Sequence, residues 1–177
     1  LAIETIAKQA FLIDMTTGEV LFEKNADQPM APASMSKMMT AYMIFERLRD
    51  GSLTLEDTFT VSENAWRKGG AKSGGSTMFL EPGKRVKLED LLRGIIVQSG
   101  NDACIVVAES LASSEAAFAE EMTVRAKELG LQNTVFKNAT GWPDPEHLTT
   151  AQDLALLAKR TITDFAEYYH YYAEKEF

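Results

Sequence analysis

The sequence contains one cysteine, only two histidines and no long hydrophobic run. A single cysteine, Cys104, excludes a disulfide within the chain and a metal site built from cysteines. Its neighbours Ile105 and Val106 are apolar, which favours a small buried core residue at this position. His147 and His170 stand too far apart to match a metal-binding spacing. No apolar run approaches the ~18 residues that a membrane-spanning helix needs.

Acidic residues outnumber basic ones by 26 to 18. The net charge is −8, and no basic cluster is long enough to follow a phosphate backbone, so we expect no nucleic-acid partner. A glycine-rich basic stretch lies at 68–76, but a phosphate-binding loop needs Gly immediately before Lys-Ser, and here Ala71 precedes Lys72 and Ser73. We therefore predict a mobile surface loop at the rim of a site.

The hydrophobic pattern predicts one α+β domain, within the broad α/β class. Two strand-like runs, joined by a turn with Gly18, predict an antiparallel hairpin over residues 9–24. Both runs place apolar residues on both faces, which predicts a sheet covered on each side. A mostly helical block follows over 34–162, with Thr150 and Asp153 resembling a capping box. The predicted helices cover 34–50, 88–97, 103–111, 115–129 and 150–162. We also expect a short extended segment within 53–61 and a short helix or turn from 62. The aromatic tail at 168–172 should pack against the rest of the domain.

Ser34 and Lys37 lie at the start of the most apolar predicted helix. Positions i and i+3 are neighbours on one helix face, so this hydroxyl and this amine should stand side by side. The residues that follow are apolar on all sides of the helix, which predicts burial. Burial lowers the pKa of a lysine and suits Lys37 as a base toward Ser34. The pattern indicates a serine nucleophile with a lysine partner. The simpler alternative is that Ser34 caps the helix and Lys37 reaches solvent.

A second polar cluster, Ser99-Gly100-Asn101, separates two apolar helices. Serine, glycine and asparagine are ordinary turn residues, and Asn101 would suit the cap of the next helix. In the functional interpretation, the turn directs two side chains at Ser34 and Lys37. Ser99 would relay protons between Lys37 and a leaving group, and Asn101 would hold a substrate amide.

Together, the two motifs resemble those of the penicillin-recognising serine enzymes, whose signature is Ser-x-x-Lys, Ser-x-Asn and Lys-Thr-Gly. The resemblance spans nearly all 177 residues. It implies the serine β-lactamase/transpeptidase-like fold, in which an antiparallel sheet is flanked by a mostly helical block. Ser34, Lys37 and Ser99 would be catalytic, and Gly100 and Asn101 would bind substrate. Segment 10–24 resembles the opening hairpin of the family, and segment 32–40 resembles its nucleophile helix. Three further segments, 96–103, 136–142 and 147–153, are similar to the D-alanyl-D-alanine carboxypeptidases in particular.

One element of the signature, Lys-Thr-Gly, does not occur in the sequence. In the family it lies on a sheet strand further along the chain, so we expect residues 1–177 to be an incomplete penicillin-binding, D,D-peptidase catalytic domain without its C-terminal sheet strands. The absent strand would carry a cation for the substrate carboxylate and one oxyanion-hole amide. The rest of the same protein or a second polypeptide would supply it.

The resemblance implies a serine D,D-carboxypeptidase of the low-molecular-mass penicillin-binding class. Such an enzyme removes the terminal D-Ala from peptidoglycan stem peptides through an acyl-enzyme, is acylated by β-lactams, uses no metal or organic cofactor, and works in the periplasm or on the outer face of the cytoplasmic membrane. Two alternatives stay open. A serine β-lactamase needs a carboxylate to activate the deacylating water, and no glutamate between Asn101 and Phe177 is convincingly placed for this. A penicillin-binding or cell-wall-sensing module would be acylated without turnover.

Overall fold

The computed structural model describes residues 3–177, and within them the chain forms two antiparallel strand pairs and six α-helices. The strands are β1 (Ala10–Ile13), β2 (Val20–Lys24), β3 (Thr58–Thr60) and β4 (Arg85–Lys87). The helices are α1 (Lys37–Arg49), α2 (Glu63–Gly69), α3 (Leu88–Ile96), α4 (Asn101–Leu111), α5 (Glu115–Glu128) and α6 (Ala151–Asp164). Short 3₁₀ turns lie at Ala33–Ser36, Ala71–Ser73 and Tyr169–Ala173. In this described range, no helix is both long enough and apolar enough to cross a membrane.

The first strand pair confirms the predicted hairpin. β1 and β2 are antiparallel, with Leu12 opposite Phe22, and Gly18 in the connecting turn has a φ of +75°. A glycine adopts this left-handed conformation without a Cβ clash. The predicted cover on both faces is wrong for the described residues. α6 packs against β1, but Leu12, Val20 and Leu21 remain 46%, 46% and 51% exposed because no described element covers them.

The core is built around α1, as its apolar sequence predicts. Met39, Ile44 and Phe45 are 0% exposed, and α1 packs against α3, α5 and α6. A helix enclosed on several sides needs apolar residues on all of its faces. α4 packs against α2, α3 and α5, and its residue Cys104 is 0% exposed, as predicted. Burial raises the pKa of the Cys104 thiol to about 12, so this thiol is a core group.

The second strand pair, β3 with β4, is only half predicted. β3 falls in the extended segment expected within 53–61, but β4 has a single apolar residue, Val86, which is too weak a pattern to indicate a strand. At α6, the Thr150 hydroxyl caps the helix by accepting from the Asp153 N–H at 3.1 Å. The Asp153 carboxylate accepts instead from the Asn133 N–H and the Thr134 hydroxyl, so the reciprocal half of the capping box does not form.

The aromatic tail packs against the core, as expected. Phe45 and Tyr168 stack with ring centroids 5.2 Å apart, and Phe165 meets Tyr42 edge-on at 4.8 Å. Aromatic pairs at these separations add to the burial that holds a tail in place. The tail therefore returns to α1, and Tyr172 lies beside the 3₁₀ turn Ala33–Ser36, here called the nucleophile turn after the predicted nucleophile Ser34.

Candidate active site

Ser34 lies in the 3₁₀ turn that leads into α1. The helix was predicted from Ser34, whereas the α-helical hydrogen bonding begins at Lys37. Residues three apart align along a 3₁₀ turn, and Lys37 Nζ is 3.1 Å from Ser34 Oγ. Ser34 is exposed, while Lys37 is only 5% exposed. An accessible hydroxyl beside a buried amine suits a nucleophile and its base.

The second contact of the Lys37 amine comes from a distant loop. Nζ donates to the Thr140 carbonyl oxygen at 2.7 Å, across 103 positions of sequence. Desolvation by burial lowers the pKa of Lys37. The alternative in which Lys37 reaches solvent is therefore wrong. Ser34 is not a helix cap either, because Pro32 is the N-cap of the 3₁₀ turn and Ser36 is the N-cap of α1.

The three residues predicted to be catalytic share one small cavity, here called the Ser34 cavity. Its volume is about 90 Å³. The lining residues are Ser34, Lys37, Ser99, Met38, Ile95, Ile96 and Tyr172. Tyr172 belongs to the aromatic tail, for which only packing was predicted. Among the described residues its buried hydroxyl has no hydrogen-bond partner, and burial raises its pKa.

The turn between α3 and α4 is tightly constrained. Ser99 has a φ of +56°, a left-handed conformation that few non-glycine residues adopt. Gly100 is buried and its N–H donates to the Gly94 carbonyl at 2.8 Å, while the Asn101 N–H donates to the Ser76 carbonyl at 2.9 Å. Strain of this kind persists where surrounding bonds enforce it. These bonds place the Ser99 side chain in the Ser34 cavity.

Asn101 begins α4 two residues earlier than predicted. The N-cap is Gly100, so the capping interpretation of Asn101 is wrong. The side chain is 7% exposed and makes no hydrogen bond with residues 3–177, which leaves its amide available. It lines a second, larger cavity together with Thr140, and is not part of the Ser34 cavity.

Asp102 holds the neighbouring loop against this turn, a function that the sequence pattern does not reveal. The residue is 0% exposed. Its carboxylate accepts from the backbone N–H groups of Met78, Leu80 and Ala103 at 2.9, 3.0 and 2.9 Å, and from the Thr77 hydroxyl at 2.8 Å. A carboxylate can stay charged in the protein interior only if hydrogen bonds replace its contacts with water, and these four donors do so.

We expect Asp102→Asn to lower the free energy of unfolding by about 3 kcal/mol. Asparagine replaces one carboxylate oxygen with an NH₂ group, which cannot accept a hydrogen bond. The backbone N–H groups that donated to that oxygen therefore lose their acceptor. Urea denaturation measures the change. Asp27→Asn, at an exposed position, should stay within about 0.5 kcal/mol of the parent. Equal losses for the two variants would contradict the inferred function of Asp102.

His147 contacts the nucleophile turn from 111 positions away. Its Nδ1 accepts from the Lys137 N–H at 2.8 Å, so the ring proton resides on Nε2, which donates to Ser36 Oγ at 2.7 Å. The ring is 2% exposed, and desolvation lowers its pKa. Neutral His147 therefore fixes the turn between Ser34 and Lys37. No spacing pattern in the sequence identifies this role of His147, although the residue opens one of the segments that carry the family resemblance.

We expect acid to destabilise the protein through His147. The unfolded state protonates at a pKa of about 6.5, whereas the folded-state pKa is lower. The stabilisation is complete above pH ~6.5 and is lost as the pH falls from there through the folded-state pKa. His147→Gln should lack this component of the pH dependence of the unfolding free energy. The exposed His170→Gln should retain the parent profile, and a parent-like profile for His147→Gln would refute the assignment.

The glycine-rich stretch lies at the rim of the site, as predicted. It follows α2, not a strand, and its backbone passes close to two side chains. A Cβ at Gly75 would lie 2.6 Å from Asn101 Nδ2 and 3.1 Å from the Trp142 ring. Glycine is required there because any side chain would displace the Asn101 amide.

Comparison with known proteins gives a consistent result. The sequence model of the D-alanyl-D-alanine carboxypeptidase family matches residues 2–177. The chain is 44% identical over 172 residues to D-alanyl-D-alanine carboxypeptidase DacC of Escherichia coli, covering 97% of this chain and 43% of that protein. It therefore spans less than half the length of this curated relative.

Solved structures show the same fold. Penicillin binding protein 5 from Haemophilus influenzae superimposes with a TM-score of 0.95 at 36% identity, covering 100% of this chain and 51% of that one. Penicillin-Binding Protein D2 from Listeria monocytogenes, in its ampicillin-bound form, superimposes with a TM-score of 0.80 at 26% identity, covering 94% of this chain and 66% of that one. The predicted penicillin-binding, transpeptidase-like fold is thereby confirmed.

Proposed function

The chain belongs to the D-alanyl-D-alanine carboxypeptidase family, and on this basis we propose that it carries the nucleophile and base of a serine D,D-carboxypeptidase. The substrate is the D-Ala-D-Ala end of peptidoglycan stem peptides, and β-lactams acylate the same serine. The observation that carries the proposal is the exposed Ser34 hydroxyl 3.1 Å from the buried Lys37 amine. Residues 1–177 form part of the catalytic domain.

Acylation begins when neutral Lys37 takes the proton of Ser34 Oγ, which attacks the carbonyl carbon of the penultimate D-Ala. The Thr140 carbonyl holds one N–H of the amine, so the nitrogen lone pair can face Ser34. The Ser34 N–H, in the first turn where such groups lack helical partners, stabilises the oxyanion. As the C–N bond breaks, the proton passes from Lys37 through Ser99 to the departing amine. Asn101 binds the preceding amide of the substrate.

Deacylation uses the same amine. Water attacks the ester carbonyl, Lys37 takes its proton, and that proton returns to Ser34 Oγ as the shortened peptide leaves. Among the described residues, no carboxylate lines the Ser34 cavity. The penicilloyl ester should therefore hydrolyse slowly, which distinguishes this site from a β-lactamase.

The test uses the complete natural open reading frame. After treatment with benzylpenicillin, tryptic mapping should find the adduct on Ser34 alone. Ser36 is the closest competing hydroxyl, but it is 0% exposed and hydrogen-bonded to His147. An adduct on Ser36, Ser99 or Cys104 would refute the nucleophile assignment.

Turnover is measured separately, as D-Ala released from a stem pentapeptide. The parent should release D-Ala, and Ser34→Ala should not. An adduct on Ser34 without any D-Ala release would identify a penicillin-binding module in place of an enzyme.

We also propose that further strands, including one with Lys-Thr-Gly, complete the β1–β2 sheet. They come from the same protein or from a second polypeptide. The β1–β2 sheet has only two strands within residues 3–177, which supports this, because a two-stranded unit is marginal in water and an open edge invites pairing. Residues 1–177 expressed alone should unfold with low cooperativity and acylate poorly. Cooperative unfolding together with full acylation would show that the site is complete without those strands.

The proposed substrate places the enzyme in the periplasm or on the outer face of the cytoplasmic membrane, where peptidoglycan is assembled. An alkaline phosphatase fusion to the natural protein, which is active only after export, should be active. An inactive fusion would contradict this location.

A further inference from the structure

The hydroxyl of Tyr172 is a buried polar group that the mechanism above does not use. Tyr172 lines the Ser34 cavity, and its hydroxyl oxygen makes no hydrogen bond with residues 3–177. A hydroxyl that is removed from water without a partner is destabilising, so such a group in a folded protein calls for a bound water, an ion or a function. Burial raises the pKa of Tyr172, so the group stays a neutral phenol with one O–H to donate.

The Ser34 cavity has the size and the polarity of a water site. Its volume of about 90 Å³ has room for about three waters, at the roughly 30 Å³ that each occupies in the liquid. Besides Tyr172, its wall contains the polar residues Ser34, Lys37 and Ser99, and the remaining wall residues are apolar. A buried water needs two to four polar partners. The four polar side chains of this cavity meet that condition.

The position of Tyr172 is fixed from α3. The hydroxyl of the preceding residue, Tyr171, donates to Glu89 at 3.2 Å, and the Arg93 guanidinium lies 5.3 Å from the centre of the Tyr171 ring. Arg93 also donates to Glu174, two residues after Tyr172, at 3.0 Å. Both α3 residues therefore hold the segment on either side of Tyr172, and α3 itself leads into the turn that lines the cavity. A side chain held in this way can orient a small molecule precisely.

We propose that the Tyr172 hydroxyl donates a hydrogen bond to the water that hydrolyses the acyl-enzyme, and so positions this water for activation by Lys37. This inference rests on the proposed function. The water oxygen bonds to the ester carbonyl carbon while Lys37 takes one of the water protons. The bond between that carbon and Ser34 Oγ then breaks, and Oγ takes the proton from Lys37. Tyr172 keeps its own proton throughout, so it positions a reactant and is neither the acid nor the base.

Tyr172→Phe in the full-length enzyme tests the proposal, because only deacylation consumes a water. The lifetime of the benzylpenicillin adduct on Ser34 should increase about tenfold, the effect of losing one hydrogen bond to the reacting water. The rate at which benzylpenicillin acylates Ser34 should stay within about twofold of the parent, because that step uses Ser34, Lys37 and Ser99. Stopped-flow acylation and the return of free enzyme after removal of the drug measure the two rates separately.

Tyr169→Phe is the matched control. It makes the same chemical change in the same 3₁₀ turn, with the two rings 5.8 Å apart, but Tyr169 is 43% exposed and does not line the Ser34 cavity. Both rates should be unchanged in this variant. Thermal unfolding should be close to that of the parent for Tyr172→Phe, because the lost hydroxyl bonds to no other residue within 3–177. A crystal structure of the full-length parent should show a water within about 3.2 Å of the Tyr172 hydroxyl.

The outcomes separate the water site from the function. A parent-like adduct lifetime in Tyr172→Phe overturns the proposal. Equal slowing of acylation and deacylation also overturns it, because the hydroxyl would then support the structure of the site, as it would by bonding to a group in the rest of the protein. In both cases D-Ala release by the parent still supports the carboxypeptidase. Absence of both penicillin acylation and D-Ala release in the parent overturns the proposed function together with the water site.

Discussion

Replacing Lys37 with arginine should lower the rate of Ser34 acylation by benzylpenicillin about 10³-fold, the contribution expected of a positioned general base. A guanidinium stays protonated at any workable pH and cannot take the serine proton. Burial lowers the pKa of Lys37 below its ordinary value of 10.5. The parent rate should therefore rise with pH and level off below pH 10.5, and this rise should be absent in Lys37→Arg. Stopped-flow or gel-based acylation kinetics measure both effects.

Folding must be separated from chemistry, because Lys37 is only 5% exposed and arginine is larger. Lys37→Met removes the base with a side chain that fits an apolar site, and it should lose acylation equally. Lys127→Arg, on the exposed side of α5, provides the control for the substitution itself. If a folded Lys37→Arg protein acylates at a rate close to the parent, Lys37 is a structural cation and the mechanism is wrong.

Gly141→Ala should lower acylation about 100-fold and the free energy of unfolding by about 2–4 kcal/mol. Gly141 has a φ of +89°, and a Cβ there would lie 1.8 Å from the Ala33 carbonyl oxygen and 3.0 Å from the Ser34 nitrogen. Both clashes are with backbone, so the nucleophile turn or the loop around Thr140 must move. Either movement disturbs the Ser34–Lys37–Thr140 contacts.

Gly18→Ala is the matched control, because Gly18 has a similar φ of +75° but a Cβ at this position would have nothing within 4 Å. It should cost about 1 kcal/mol through backbone strain alone and leave acylation intact. Thermal unfolding and penicillin acylation, measured on both variants, separate the two effects. Parent-like acylation by Gly141→Ala would show that the nucleophile turn tolerates the displacement.

Features that depend on residues close together in the chain could be predicted from the sequence. Ser34 and Lys37 are three residues apart, so any helical turn brings their side chains together. The hairpin depends on a turn in which Gly18 adopts a positive φ. The cap of α6 depends on the Thr150 hydroxyl, which accepts a hydrogen bond from the Asp153 N–H three residues later. Short-range geometry made these features predictable, including the candidate nucleophile and base.

The polar contacts around that pair depend on how distant segments of the chain fold together. The Thr140 carbonyl reaches Lys37 across 103 positions, and His147 reaches Ser36 across 111. Neither contact has a periodic signal, because each depends on how a loop without regular structure returns to α1. The Asp102 contacts were missed for the same reason.

Helix starts and sheet cover were likewise set by the surroundings of each element. α4 begins at Asn101 because the turn before it is held by Gly94 and Ser76, neither of which its own sequence identifies. β1 and β2 have apolar residues on both faces, yet their cover depends on which other elements pack there. Local periodicity therefore specifies which residues are neighbours along the chain, whereas burial and hydrogen bonding between distant segments decide which of them form the site.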